Sequence, residues 1–251
     1  MGIITFVLGA ALASFISLIA DRYNTGRSSV RGRSICFSCG ETLGVGDLIP
    51  IFSYLYSRGR CRSCNSRIPA TLLWVELLMG SLSVLAAYQV GLLYNLSTLL
   101  IIQFLLFILG FCALLLITLY DLKHKIIPDS FLLAFLVVGV IKAYIAGALL
   151  SGLLYGLIIA LPFFLIWLLS KGALMGLGDP KMMFAMAFFL GGLPVISAVF
   201  LAFWLGAVVI IVLKVFGRRL TMKSEIPFAP FLAVSTVLTA LLDINLFHVV
   251  F

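Results

Sequence analysis

Apolar runs long enough to cross a lipid bilayer recur along this sequence, and one long polar segment, residues 21–70, separates the first from the rest. A run of about 18 residues spans a hydrocarbon core about 30 Å thick as a helix. In lipid the backbone must satisfy its own N–H and C=O groups, so such runs adopt the helix. The chain is 63% hydrophobic and 10% charged, where a soluble domain has roughly 45–50% and 25%. The expected fold class is an all-α polytopic integral membrane protein seated in the lipid bilayer.

Eight segments are expected to span: residues 3–20, 71–90, 97–120, 130–146, 152–170, 182–190, 195–215 and about 227–247, the sixth being short for a crossing. No basic stretch precedes the first run and no small-x-small site follows it, so it reads as a retained span. Residues 21–70 hold eight arginines against Asp21, Glu41 and Asp47, a bias that places this loop in the cytoplasm. Threading the other segments from there leaves Lys142 as the one basic residue of 17 toward the external side, where it can snorkel. The net charge of +8 then belongs to cytoplasmic loops and calls for no nucleic acid. The expected organisation is a first span (1–20), a small cytoplasmic module (21–70) and a membrane-embedded core (71–251).

The polar segment carries Cys36-Phe37-Ser38-Cys39 and Cys61-Arg62-Ser63-Cys64, with 21 residues between the pairs. Each CxxC turn presents two thiolates on one side, and two such turns complete a tetrahedral zinc site. Gly40 and Asn65 follow the second cysteine of each pair, where the turn needs a residue tolerant of positive φ. A pair of disulfides is the rival, disfavoured in a reducing compartment. With four cysteines no position stays open for substrate, so Zn2+ here has a structural role, folding a loop that lacks a core. Cys112, inside a span, reads as packing.

Asp179 lies in a short polar island, residues 171–181, and is the only acid between Asp129 and Glu225. A carboxylate at a membrane segment is expensive, roughly 2.5–3.5 kcal/mol at a helix centre on insertion scales. Asp121 ends the third expected span on the same face. Two carboxylates at one depth can share a proton, one activating water and the other polarising a carbonyl. Bland readings stand beside this one. Asp179 before Pro180 fits a helix N-cap with proline at N1, Asp121 can pair with Lys125 one turn on, and Asp129 fits a helix start. Glu76, inside the second span, is either a functional acid or one buried against a polar partner. Met175, Met182, Met183 and Met186 read as packing. His124 and His248 are the only histidines, which gives a Ser–His triad little support.

These residues resemble the type IV prepilin peptidases, bifunctional leader peptidases and N-methyltransferases of the GxGD aspartyl protease class, over nearly the whole chain. Gly176-Leu177-Gly178-Asp179 carries the GxGD signature, and the run from Asp121 to Asp129 resembles the first-aspartate segment. Asp47-Leu48-Ile49-Pro50-Ile51-Phe52-Ser53-Tyr54-Leu55, followed by Arg58-Gly59-Arg60-Cys61, is similar to the family's cytoplasmic zinc-binding domain. Val75-Glu76-Leu77-Leu78 and Pro227-Phe228-Ala229-Pro230-Phe231-Leu232 also fit.

The resemblance implies that Asp121 and Asp179 are the catalytic pair, with Gly176 and Gly178 supporting Asp179. It implies a type IV prepilin or pseudopilin substrate, cut behind its short basic leader at the cytoplasmic face of the inner membrane. The new N-terminal residue would then be methylated from S-adenosylmethionine, whose binding residues the sequence does not identify. Pro180 departs from the family pattern and pushes the backbone at Asp179 toward extended. Within the GxGD class, Tyr120-Asp121 and the Gly176–Asp179 signature also resemble presenilin and signal peptide peptidase, which lack the cysteine module. A proton- or cation-coupled transporter is disfavoured by acids lying at one face rather than the midplane, and a non-catalytic scaffold binding partners through the zinc loop is the remaining alternative.

Overall fold

The computed structural model describes residues 1–25, 34–36, 38–216 and 227–245. Each of the eight expected segments contains a helix. In chain order these are α1 (Gly2–Arg22), the short α2 (Phe52–Tyr56) within the polar segment, α3 (Ala70–Val90), α4 (Thr98–His124), α5 (Asp129–Ile145), α6 (Leu149–Leu169), α7 (Gly178–Leu190), α8 (Pro194–Val215) and α9 (Ala229–Leu242). Among the described residues the only β pairing is two isolated bridges. Five helices, α1, α3, α4, α6 and α8, are long and apolar enough to cross a membrane, which makes this a multi-pass membrane protein. The others are shorter, with 17 residues in α5, 13 in α7 and 14 in α9. Residues 246–247 of the last expected span, His248, and Arg218, Arg219 and Lys223 lie outside the described residues.

Contacts divide the chain into two units, Met1–Ile108 and Leu109–Phe251. In the first, α1 and α3 pack against each other. Gly9 faces Met79 and Ser83 while Gly80 takes the Phe6 ring, so small residues let the two helices approach closely. Association in lipid lacks a hydrophobic drive and depends on such contact.

In the second unit, α7 is the centre, packed by α5, α6, α8 and α9. Gly139 of α5 lies against the backbone of Ala185 and Phe189, and Gly152 and Gly156 of α6 receive Phe188 and Phe184. Met182, Met183 and Met186 are fully buried, in keeping with their reading as packing. α7 and α8 are joined by only three residues, 191–193. At 1.5 Å per residue α8 is about 33 Å long and α7, with 13 residues against 22, about 20 Å.

The other end of α7 is closed by Lys142. Its Nζ donates to the Phe189 carbonyl at 2.6 Å and sits 4.8 Å from the centre of that ring. Rather than reaching outward, the ammonium satisfies a helix-end carbonyl, where a cation complements the helix dipole. Lys142→Met is expected to lower stability by about 1.5–3 kcal/mol, the range for a hydrogen bond to a charged group. Thermal denaturation in detergent checks this, with Lys142→Arg retaining most of the stability.

Candidate active site and metal centre

Asp121 lies one turn from the C-terminus of α4, and Asp179 in the first turn of α7. Both belong to the second unit and both are buried, with 5% and 9% of their surface exposed. Asp121 is close enough for its charge to bear on Asp179. Each also meets the start of a helix. The backbone N–H of Ala229, the first residue of α9, hydrogen-bonds the Asp121 carboxyl. The Gly176 N–H, in the turn leading into α7, serves Asp179. The N-termini of two short helices thus bring N–H donors and positive dipole ends to the two acids.

The helix-cap reading of Asp179 is corrected here. α7 begins at Gly178 with Leu177 at the N-cap, in helical geometry at φ −61°, so Asp179 is inside the first turn. Nor is its backbone extended. Pro180 sits in that first turn and is buried, where its missing N–H is one that the helix would leave unsatisfied in any case.

The two signature glycines are unequal. A Cβ on Gly178 would lie 2.9 Å from Cβ of Ile127, whereas one on Gly176 would meet only the Asp179 carboxylate at 3.8 Å. Overpacking costs about 1–3 kcal/mol. Gly178→Ala is expected to lower activity by about tenfold or more through displacement of the α7 start, and Gly176→Ala by far less. Kinetics of the double variant Gly178→Ala, Ile127→Ala check the cause, since removing the Ile127 side chain restores activity.

Beside Pro180 opens an apolar cleft of about 480 Å³, lined by Leu132, Leu136, Leu157, Leu161, Phe164 and Phe184. Lys181 of α7 and Asp129, the first residue of α5, also line it and pair at 2.6 Å. Exposed pairs of this kind contribute about 0–1 kcal/mol.

In the first unit, Cys36, Cys39, Cys61 and Cys64 bring their sulfurs within 4.8 Å of one another. None is in a disulfide. With Zn–S bonds of about 2.3 Å, a tetrahedral ion separates its sulfurs by about 3.8 Å; Cys36 and Cys64 stand at 3.9 Å. The two turns repeat each other. Gly40 N–H donates to the Cys36 carbonyl and Asn65 N–H to that of Cys61, both at 3.0 Å. Gly40 and Asn65 both have positive φ, 73° and 58°. The N–H groups of Cys39 and Ser38 draw the Cys36 thiol down to about 6. The Glu41 backbone acts in the same direction on Cys39, but desolvation and the three other sulfurs outweigh it and push that thiol up to about 12. Without a cation these crowded sulfurs cannot all ionise, and a cation among them would let each ligate as a thiolate, so the group fits a metal ion.

Sequence reasoning missed three contacts: the Ala229 N–H on Asp121, Ile127 under Gly178, and the partner of Glu76. Pro227 and Pro230 were the available signal for the first, since prolines mark a helix start whose free N–H groups need acceptors.

A multi-pass helical membrane protein with two buried acids under two helix N-termini is the class that fold and site define. Residues 7–90 match the bacterial peptidase A24 N-terminal domain, and residues 108–211 match the type IV leader peptidase family. A prepilin leader peptidase/N-methyltransferase of Legionella pneumophila is 31% identical over 212 residues, 81% of this chain and 70% of that protein. One from Bacillus subtilis is 28% identical over 95% of this chain and 93% of its own length. One from Myxococcus xanthus is 30% identical over 85% of this chain, which spans 63% of that longer protein. The chain belongs to the type IV leader peptidase family. No solved structure matches it.

Proposed function

We propose that this protein is an aspartyl endopeptidase of the cytoplasmic membrane that removes the short basic leader of type IV prepilins or pseudopilins at the cytoplasmic face. The observation that carries the reading is the pairing of Asp121 and Asp179, two buried acids from different helices within Coulombic reach at the start of α7. The relatives' names supply the substrate class. The apolar cleft beside Pro180 suits the hydrophobic segment that follows the leader.

With one proton between the two acids, the ionised carboxylate takes a proton from water as it attacks the scissile carbonyl, and the protonated one donates to the carbonyl oxygen. As the diol collapses, the dyad gives a proton to the departing amine and takes one back from a diol hydroxyl, which resets the pair. Helix N-termini at both acids stabilise the negative charge that remains on them.

Cys36, Cys39, Cys61 and Cys64 would hold Zn2+ as thiolates, and the ion would supply folding free energy rather than chemistry. N-methylation of the new N-terminal residue with S-adenosylmethionine is supported by the family resemblance and the relatives' names. No residue of this chain is assigned to the donor.

Incubating the purified enzyme with a prepilin, with and without S-adenosylmethionine, and weighing the products tests both activities. Leader loss alone is expected without the donor, and a further gain of one methyl group with it. An uncut prepilin in both arms refutes the peptidase, and a cut but unmethylated product in both refutes the transferase alone.

A further inference from the structure

Glu76 is a buried acid, 8% exposed, that the proposed chemistry does not use. It lies in the second turn of α3, and its Oε2 accepts the Ile51 N–H at 2.7 Å. Ile51 has φ 65° and ψ −52°, and the Phe52 N–H donates to the Pro50 carbonyl across it at 2.6 Å. That combination is a γ-turn of the rare, strained form, and a β-branched residue at positive φ is an outlier. Strain of this kind persists where surrounding contacts over-determine it. Here the contact is a bond from the loop backbone to a carboxylate inside a membrane-spanning helix.

The bond sets the depth of the loop. Glu76 is six residues, or about 9 Å, along α3 from Ala70. Exposed Trp74, just above it, is the residue type that marks a membrane interface. The bond ties Ile51, and through it the loop around residues 45–56, to the second turn of α3. Outward from that pin project Val45, Leu48, Ile49, Phe52, Leu55 and Tyr56, with Phe52 66% and Tyr56 71% exposed. The same end of α3 exposes Trp74 and Leu78. On a water-facing loop this would be an unexplained apolar patch. Basic residues follow immediately: Arg58 and Arg60 are exposed, and Arg62 pairs with Asp47 at 3.1 Å and lies 5.4 Å from the centre of the Tyr56 ring. Apolar side chains flanked by arginines are the pattern of an element lying in the interface of an anionic leaflet.

We infer that residues 45–56 form an interfacial element inserted among the lipid headgroups of the leaflet where α3 begins, with Glu76 as the pin that holds it at that depth. The partner is the anionic lipid surface. Only part of the polar segment is then a water-borne module, which narrows the reading of residues 21–70 as wholly cytoplasmic.

Fluorescence quenching in the full chain tests this. Phe52→Trp is placed in a background with Trp74→Phe, Trp167→Phe and Trp204→Phe, in vesicles of phosphatidylcholine and phosphatidylglycerol. The residue 52 indole is expected to lose most of its emission to lipids brominated near the headgroup end of the acyl chain, less to tail-brominated lipids, and little to aqueous iodide. Glu41→Trp, on the cysteine turn, is expected to behave oppositely. Adding Glu76→Ala is expected to shift the residue 52 indole toward iodide access, whereas Glu76→Gln, which keeps an acceptor for the Ile51 N–H, retains lipid quenching. Free iodide access at residue 52, or shielding from both quenchers, overturns the insertion. Unchanged lipid quenching in Glu76→Ala overturns the pin.

Discussion

Asp179→Asn is expected to lower the rate of leader cleavage by about a thousandfold or more, and Asp121→Asn by a similar factor. General acid–base groups contribute about 10²–10⁴ each. As a proposed unit, the two acids are expected to make the double variant fall little further than either single one. Stability separates this from a structural role. Loss of a helix cap costs about 1 kcal/mol, whereas replacing an acid buried beside another acid leaves the melting temperature unchanged or raises it. The wild-type pH–rate profile is a bell whose limbs belong to the pair, since one proton too many or too few silences it. Steady-state cleavage assays and thermal melts on the same preparations give all of these results. Normal cleavage by either variant removes the dyad.

Loss of a metal ion from the four cysteines is expected to have the second large effect. One zinc per chain is expected by metal analysis of the purified protein, and none in Cys61→Ser, which takes out the buried member of the four. Structural zinc supplies about 10–16 kcal/mol of folding free energy in small domains. The cysteine turns have little else, since Cys39 and Cys64 are exposed and the only β pairing there among the described residues is two isolated bridges. Limited proteolysis is therefore expected to cut between residues 34 and 68 in the metal-free protein, while α1 and α3, packed through Gly9 and Gly80, stay intact. Lowering pH is expected to release the metal, as protons compete for the thiolates. A metal-free wild type with an unchanged proteolytic pattern refutes the site.

The helices were legible because each long apolar run has one low-energy form in lipid, and the paired CxxC spacing announced a cluster of sulfurs. What the sequence left open were choices between equivalent local uses of one residue. Asp179 before Pro180 spells a cap as readily as a buried acid. The structure decides it, for α7 starts at Gly178, one residue ahead of the aspartate, at a position where a Cβ would meet Ile127. For Glu76 the alternatives were a functional acid or one satisfied by a polar neighbour. Its neighbour proved to be the backbone N–H of Ile51, 25 positions earlier, a donor every residue but proline carries and so one that no residue type advertises. Lys142 was placed toward the external side by charge, yet the Phe189 carbonyl it serves follows from the closeness of α5 and α7, which no charge rule encodes.

The burial of both acids, 5% and 9% exposed, bears on the form in which a peptide would be cut. A helix rises 1.5 Å per residue with its carbonyls engaged, whereas a strand rises about 3.3 Å with every carbonyl presented. Under the proposed function the leader junction is expected to be drawn out as a strand at the two acids, and a segment that stays helical there is expected to pass uncut.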